Sequence, residues 1–283
     1  MASSISAQAT PLLNKVPVVT LIFWIIKILS TTVGETGADF LIFKLHFGLP
    51  LTSLIMGVVL IAVLVLQLRT DRYQPWIYWL TVVQVSIFGT LLTDSLVDTY
   101  GVALTTTTAV FSVLLALTFI EWYSQERTLS IKSIYRGKRE YFYWTAILMT
   151  FALGTAAGDL VSEQMRLGYA LSAAIFALCI GAVAIAHYVF HLNGVATFWI
   201  AYVLTRPFGA SMGDWLSHSV HKGGLGLGTV GTSEVFAVVI VALFVHKGQY
   251  AVIWAGDCRA YLQREGRLQR LTRDHTSDGN RYV

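Results

Sequence analysis

The chain has 283 residues, of which 55% are hydrophobic and only 13% charged, with a mean hydropathy of +0.63. A soluble domain carries roughly 25% charged residues, so this composition excludes a soluble globular enzyme or binding module and points to a membrane-embedded chain. The net charge of +4 would suit a nucleic-acid partner in a soluble protein, but in a membrane protein excess Lys and Arg belongs to cytoplasmic loops. With two cysteines, Cys179 and Cys258, the sequence has no disulfide framework and no Cys-based metal motif.

In chain order, residues 1–16 form a polar segment whose only charge is Lys15, without the pattern of a cleavable signal peptide. Apolar runs long enough to cross a bilayer follow at about 17–43, 50–68, 75–99, 102–121, 141–164, 168–190, 195–219 and 229–246. Lipid offers backbone amides no hydrogen-bond partner, so these runs are expected to be helices. A polar, basic loop at 122–140 divides the chain into halves, 17–121 and 141–247, and residues 248–283 form a tail. Lys15, Arg69, Arg72, Arg127, Lys132, Arg136, Lys138, Arg139 and Lys247 lie on one side, against Lys44, Arg166 and Lys222 on the other. The positive-inside rule then places both termini in the cytoplasm of an inner-membrane protein.

The odd-numbered spans align without gaps. Each carries a Trp, then a Gly ten residues on, then an Asp five residues further: Trp24, Gly34, Asp39; Trp79, Gly89, Asp94; Trp144, Gly154, Asp159; and Trp199, Gly209, Asp214. Trp-to-Trp separations of 55, 65 and 55 residues describe a two-helix unit repeated four times, the longer step holding the basic loop. Units of two spans insert in the same orientation, so the repeats are parallel and equivalent residues share a depth. A second small residue follows each Gly by four, at Ala38, Thr93, Gly158 and Gly213. Small-xxx-small spacing permits close helix approach. The expected architecture is all-α and polytopic, with odd helices central and even helices facing lipid.

Steps of four along each odd helix trace a polar stripe. It reads Lys27, Thr31, Glu35, Asp39; Ser86, Thr90, Asp94, Asp98; Thr155, Asp159, Glu163; and Tyr202, Arg206, Ala210, Asp214, His218. Ionisable residues within a membrane are costly and mark ion pathways by default. Oxygen-rich ligation suits hard divalent cations, to which His218 and His221 would add nitrogen. The candidate ion-binding residues are therefore Asp39, Asp94, Asp159, Asp214, Glu35, Thr90 and Thr155, with Lys27 and Arg206 as counter-ions and the four aspartates as candidate metal ligands. Asp98, Glu163 and His218, one turn nearer water, are expected to be interfacial. Pro207 is expected to kink its helix, and His187 with His191, at i and i+4, is a further metal candidate. The glycine run 223–228 lacks the strand context of a dinucleotide fingerprint and reads as an external loop.

The fourfold Trp, Gly, Asp pattern over residues 15–247 resembles a bacterial family of multi-pass membrane proteins defined by a two-helix repeat of unknown function. That resemblance implies the architecture and no activity. Residues 250–276 are similar to the central strand-turn-strand of metal-dependent serine/threonine phosphatases of the PP2C type, through Gly256-Asp257-x-Arg259, Gly266 and Thr272-x-Asp274-His275. The remaining metal-binding aspartates of such enzymes have no counterpart here, so the tail is expected to be a non-catalytic fragment forming a β-hairpin.

These readings converge on a non-enzymatic transport protein without a cofactor. Its partners would be the lipid bilayer and a transported cation or proton. The alternative is a membrane sensor or scaffold in which the aspartates only hold helices together.

Overall fold

The computed structural model describes residues 14–44, 46–236 and 238–239, together with strand segments 261–264 and 267–270. The chain divides into two units, residues 1–236 and 237–283. The first is helical. Helix α1 spans Leu21–Asp39, α2 Gly48–Arg69, α3 Pro75–Asp94, α4 Leu104–Glu126, α5 Lys138–Asp159, α6 Tyr169–Tyr188 and α7 Gly194–Ser217. An eighth helical segment, α8, covers 228–236. Among the described residues, six helical stretches, those containing α1 to α6, are long and apolar enough to cross a membrane.

Local chemistry sets the helix starts. Thr20 accepts a hydrogen bond from the Phe23 amide, and Asn193 accepts from the amides of Val195 and Ala196, so both cap donors that lack an intrahelical partner. Pro75 occupies the first turn of α3, where a missing N–H costs nothing.

Helices α1, α3, α5 and α7 form a closed ring, each packing on the two adjacent in repeat order, with α7 returning to α1. The even helices lie outside it, and each packs on the odd helix of the next repeat: α2 on α3, α4 on α5, α6 on α7. Helix α8 meets α1 through Ser233 Oγ, 2.6 Å from Thr36 Oγ1. Every repeat thus leans on its successor, and the fourth closes on the first. The outer helices leave large apolar side chains such as Leu54, Ile61, Val113, Ile120 and Leu178 exposed.

The glycines explain how closely the ring packs. A Cβ on Gly34 would stand 2.0 Å from Ser86 Oγ, and one on Gly89 2.8 Å from Phe151 Cβ. One on Gly154 would lie 2.3 Å from Arg206 Cγ, and one on Gly209 2.0 Å from Thr31 Oγ1. In each case the clashing residue sits three positions before the glycine of the next repeat, so one contact recurs four times around the axis. Hydroxyls join the same seams: Thr93 Oγ1 donates to the Ala152 carbonyl at 2.9 Å, and Thr32 Oγ1 to the Gly209 carbonyl at 3.1 Å.

Two boundaries differ from the sequence reading. Helix α4 runs to Glu126 and α5 begins at Lys138, which shortens the basic connection to 127–137. The extra turn is held from outside the helix: buried Trp122 stacks on Phe142 with ring centroids 6.4 Å apart, and Arg139 pairs with Glu126 at 2.5 Å. Helix α6 ends at Tyr188, and His191 has a positive φ of 52°. His187 and His191 therefore do not share a helical face, and the i, i+4 argument for a metal there fails.

The N-terminal segment is strapped onto this basic connection. Lys15 N donates to the Ile134 carbonyl at 2.9 Å, and Asn14 Oδ1 accepts from the Ile134 amide at 3.1 Å. Buried Lys15 pairs with buried Glu140 at 2.5 Å and donates to the Gln67 carbonyl at 2.9 Å.

In the second unit the described strands are Tyr261–Arg264 and Arg267–Arg270, paired antiparallel with Tyr261 opposite Arg270. Gly256, Asp257, Arg259, Gly266, Thr272, Asp274 and His275, which carry the phosphatase likeness, lie outside the described residues, as does the stretch 240–246 of the eighth expected span.

Candidate ion-binding site

Residues at equal repeat positions meet in layers along the ring axis. At the tryptophan end lie Phe23, Tyr78, Tyr143 and Phe198; Tyr78 Oη and Tyr143 Oη are 2.6 Å apart and buried. The rings of Phe23 and Phe198 pack with centroids 6.2 Å apart, and each aromatic touches a tryptophan of the same or an adjacent repeat. This layer closes that end of the axis with apolar and phenolic surface.

Lys27 stands one turn deeper and is fully buried. Its Nζ donates to Thr205 Oγ1 at 2.5 Å and to the Tyr202 carbonyl at 3.1 Å, and lies 4.4 Å from the Tyr202 ring centroid. No ion pair to Lys27 occurs among the described residues. The aromatic face and the carbonyl solvate its charge instead.

Arg206 is also fully buried and reaches across the axis. Its Nη2 donates to Glu35 Oε2 at 2.7 Å, to Thr155 Oγ1 at 2.8 Å and to Thr90 Oγ1. Thr90 Oγ1 in turn donates to Glu35 Oε2 at 3.0 Å. Glu35, Thr90 and Thr155 occupy the same position in repeats one, two and three, and Ala210, small enough to leave room, holds it in repeat four. Three of the expected ion-binding residues thus gather on the guanidinium contributed by the fourth repeat. Arg206 Nε and Nη1 are buried and have no hydrogen-bond partner among the described residues.

The aspartates form the next layer, at the opposite end from the tryptophans. Asp39, Asp94 and Asp159 are half-buried and Asp214 is buried, whereas Asp98 and Glu163, one turn further, are exposed. Asp94 lies within electrostatic reach of Glu35, Asp159 and Asp39, and Asp214 within reach of Glu35, Asp39 and Asp159. The four carboxylates therefore converge. The side chains of Asp94 and Asp159 accept no hydrogen bond from any described residue, unlike Glu35. Among the described residues Glu35 is ion-paired with Arg206, and no ion pair is made to Asp94 or Asp159.

Backbone geometry at this level is also repeated. Directly after Asp39, Asp94 and Asp159 the helix widens into five-residue π turns, Phe40–Lys44, Ser95–Thr99 and Leu160–Gln164. In the second and third copies the exit amides reach back five residues, Tyr100 N to the Ser95 carbonyl and Met165 N to the Leu160 carbonyl. π turns inside α-helices occur frequently at functional sites. The fourth copy instead stays α-helical to Ser217, and Pro207 lies within it, its Cδ 3.0 Å from where a Cβ on Gly154 would be. The glycine run folds back over this helix end: the Leu225, Leu227 and Gly226 amides donate to the Trp215, Leu216 and His218 carbonyls. It is a cap for α7, which the sequence reading as a plain external loop missed.

Reading the stripe helix by helix hides two features: the aromatic seal and the Arg206–Glu35 pair across repeats. The seal emerges when residues at the same repeat position are laid side by side, whereas Arg206 aligns with Thr31 and meets Glu35, four residues further on, only across the closing seam. His218 beside Asp214 is an i, i+4 pair already present in the stripe.

No curated protein and no solved structure matches the chain. The family model described as Repeat of Unknown Function (DUF347) matches it four times, at residues 22–73, 77–128, 142–192 and 197–247. These matches take in α1 to α7 and cover most of the sequence, and the chain belongs to that family.

Proposed function

We propose that this protein is a membrane transport protein that moves a cation, a divalent metal or a proton, through a site lined by one aspartate from each repeat. In this reading eight helices span the inner membrane with both termini cytoplasmic. The apolar outer helices face lipid, and the tail is a non-catalytic appendage. The observation that carries the proposal is the convergence of four equivalent carboxylates, two of them (Asp94 and Asp159) without a hydrogen-bond donor among the described residues. Interhelical glue would spend its polar groups on hydrogen bonds. Uncompensated carboxylates at membrane depth call for a cation or protons to balance them. In this reading the aromatic layer, Lys27 and Arg206 block the axis toward the tryptophan end, and the cation reaches the aspartates from the opposite end.

The rival reading, a scaffold or sensor, draws support from the layer below, where Glu35, Thr90 and Thr155 are fully engaged with Arg206. The two are separated by flux measurements in proteoliposomes across protons and a panel of divalent cations. Transport predicts flux in wild type that falls at least tenfold in Asp94→Asn and Asp159→Asn. Equal flux in wild type and both variants, or none in any protein, supports the scaffold.

A further inference from the structure

The four aspartates are not chemically equivalent: among the described residues, the fourth repeat places an imidazole, His218, beside its carboxylate. The residues four positions after Asp39, Asp94, Asp159 and Asp214 are Phe43, Asp98, Glu163 and His218. One ligand atom each from Asp39, Asp214 and His218 lies within 4.8 Å of the other two. We propose that these three side chains form a divalent transition-metal subsite at the seam where the last repeat closes on the first. The proposal rests on the transport reading and narrows its substrate to a class. Two carboxylates with one imidazole favour Mn²⁺, Co²⁺ or Zn²⁺ over Mg²⁺ and Ca²⁺, which prefer oxygen alone.

A second observation, independent of the clustering, points to a ligand. Asp214 is 6% exposed, yet its carboxylate accepts no hydrogen bond from any described residue. His218 Nδ1 donates to the Asp214 backbone carbonyl at 3.1 Å and stands 3.7 Å from Asp214 Oδ1, within ion-pair range when the ring is protonated but beyond direct hydrogen-bonding distance. A buried acceptor without a donor carries its full desolvation penalty, which a bound cation removes. The imidazole is held in place from two sides. Its ring stacks on Tyr169 with centroids 4.9 Å apart and an interplanar angle of 17°. Behind it, the Gly226 amide donates to the His218 carbonyl at 2.8 Å, and a Cβ on Gly224 would fall 2.2 Å from that oxygen. Fixed orientation of a ligating histidine is what a metal site needs from its surroundings.

The site is testable by titrating the purified full-length protein in detergent with Co²⁺, following visible absorption, and competing with Zn²⁺, Mn²⁺ and Mg²⁺. Wild type should develop Co²⁺ ligand-field bands that Zn²⁺ abolishes, while Mg²⁺ at hundredfold excess leaves them intact. His218→Gln and Asp39→Asn should each weaken Co²⁺ binding at least tenfold; His187→Gln, on α6, should leave it within twofold. Zn²⁺ should raise the unfolding midpoint of wild type and not that of His218→Gln, which checks that the variant is folded. Co²⁺ affinity in folded His218→Gln within twofold of wild type overturns the subsite, as does displacement by Mg²⁺ as effective as by Zn²⁺. If His218-dependent Co²⁺ binding holds but flux does not depend on Asp94 and Asp159, the metal subsite stands and the transport reading falls. If flux depends on those aspartates and Co²⁺ binding is indifferent to His218, the subsite falls and transport stands.

Discussion

Replacing Gly34 by Ala tests the ring itself. The added Cβ would lie 2.0 Å from Ser86 Oγ and 2.3 Å from Ser86 Cβ, with the Ile87 amide nitrogen at 3.2 Å. Ordinary contact begins at 3.4 Å, so the helices must part locally by about 1.4 Å or Ser86 must leave its rotamer. Overpacking a tight core costs about 1–3 kcal/mol. Helix propensity returns at most about 1 kcal/mol for Gly→Ala, so a net loss of about 0–2 kcal/mol follows. Gly181→Ala is the matched control. It lies in α6 with nothing within 4 Å of the new Cβ, so only the propensity gain remains and stability should hold or rise slightly. Because the clash is with one side chain, Gly34→Ala combined with Ser86→Gly should recover most of the loss, a coupling that a double-mutant cycle reads directly. Thermal unfolding of the detergent-solubilised protein, followed by tryptophan fluorescence, measures these three variants and Ser86→Gly alone, which completes the cycle. Equal midpoints for Gly34→Ala and Gly181→Ala, or no rescue in the double variant, would refute the account of the packing.

Three further outcomes follow from the buried charges. Glu35→Gln leaves the buried Arg206 with neutral acceptors and no counter-charge, and breaking a buried pair on one side costs about 3–5 kcal/mol; the double variant Glu35→Gln with Arg206→Met should unfold at a higher midpoint than Glu35→Gln alone. Lys15→Ala strands Glu140 and leaves the N-terminal segment held on the connection 127–137 only by its two bonds to Ile134, so limited proteolysis should cut that connection faster than in wild type, with the ring helices still protected. Lys27 has no carboxylate partner among the described residues, and Lys27→Met replaces a desolvated charge by an apolar chain of similar length. Its unfolding midpoint should equal or exceed that of wild type, while cation flux in proteoliposomes falls.

Much of the fold is legible before any coordinates. Apolar runs of bilayer length have no stable form in lipid but the helix, and Trp, Gly and Asp at one spacing in four places require a tandem repeat whatever the packing. The aspartates stand out for the same reason, since carboxylates inside apolar runs are too costly to be incidental. The end of α4 was not legible, because Trp122 and Glu126 belong to a polar stretch and become helical only through Phe142 and Arg139 from the next helix. Nor does the cap formed by 223–228 show in a glycine run.

What the sequence determined by itself is therefore everything set by local hydropathy and by spacing: helices, repeats, and the depth shared by equivalent residues. The tertiary structure decided who faces whom. That each outer helix packs on the following repeat, that Arg206 of the last repeat reaches Glu35 of the first, and that Asp39 comes to the Asp214–His218 pair at the closing seam all depend on contacts between residues distant in the chain. Hydropathy carries no information about those contacts, because every odd helix presents small residues at the same two positions. The asymmetry that singles out one seam arises only when the ring closes and unlike side chains meet at equal depth.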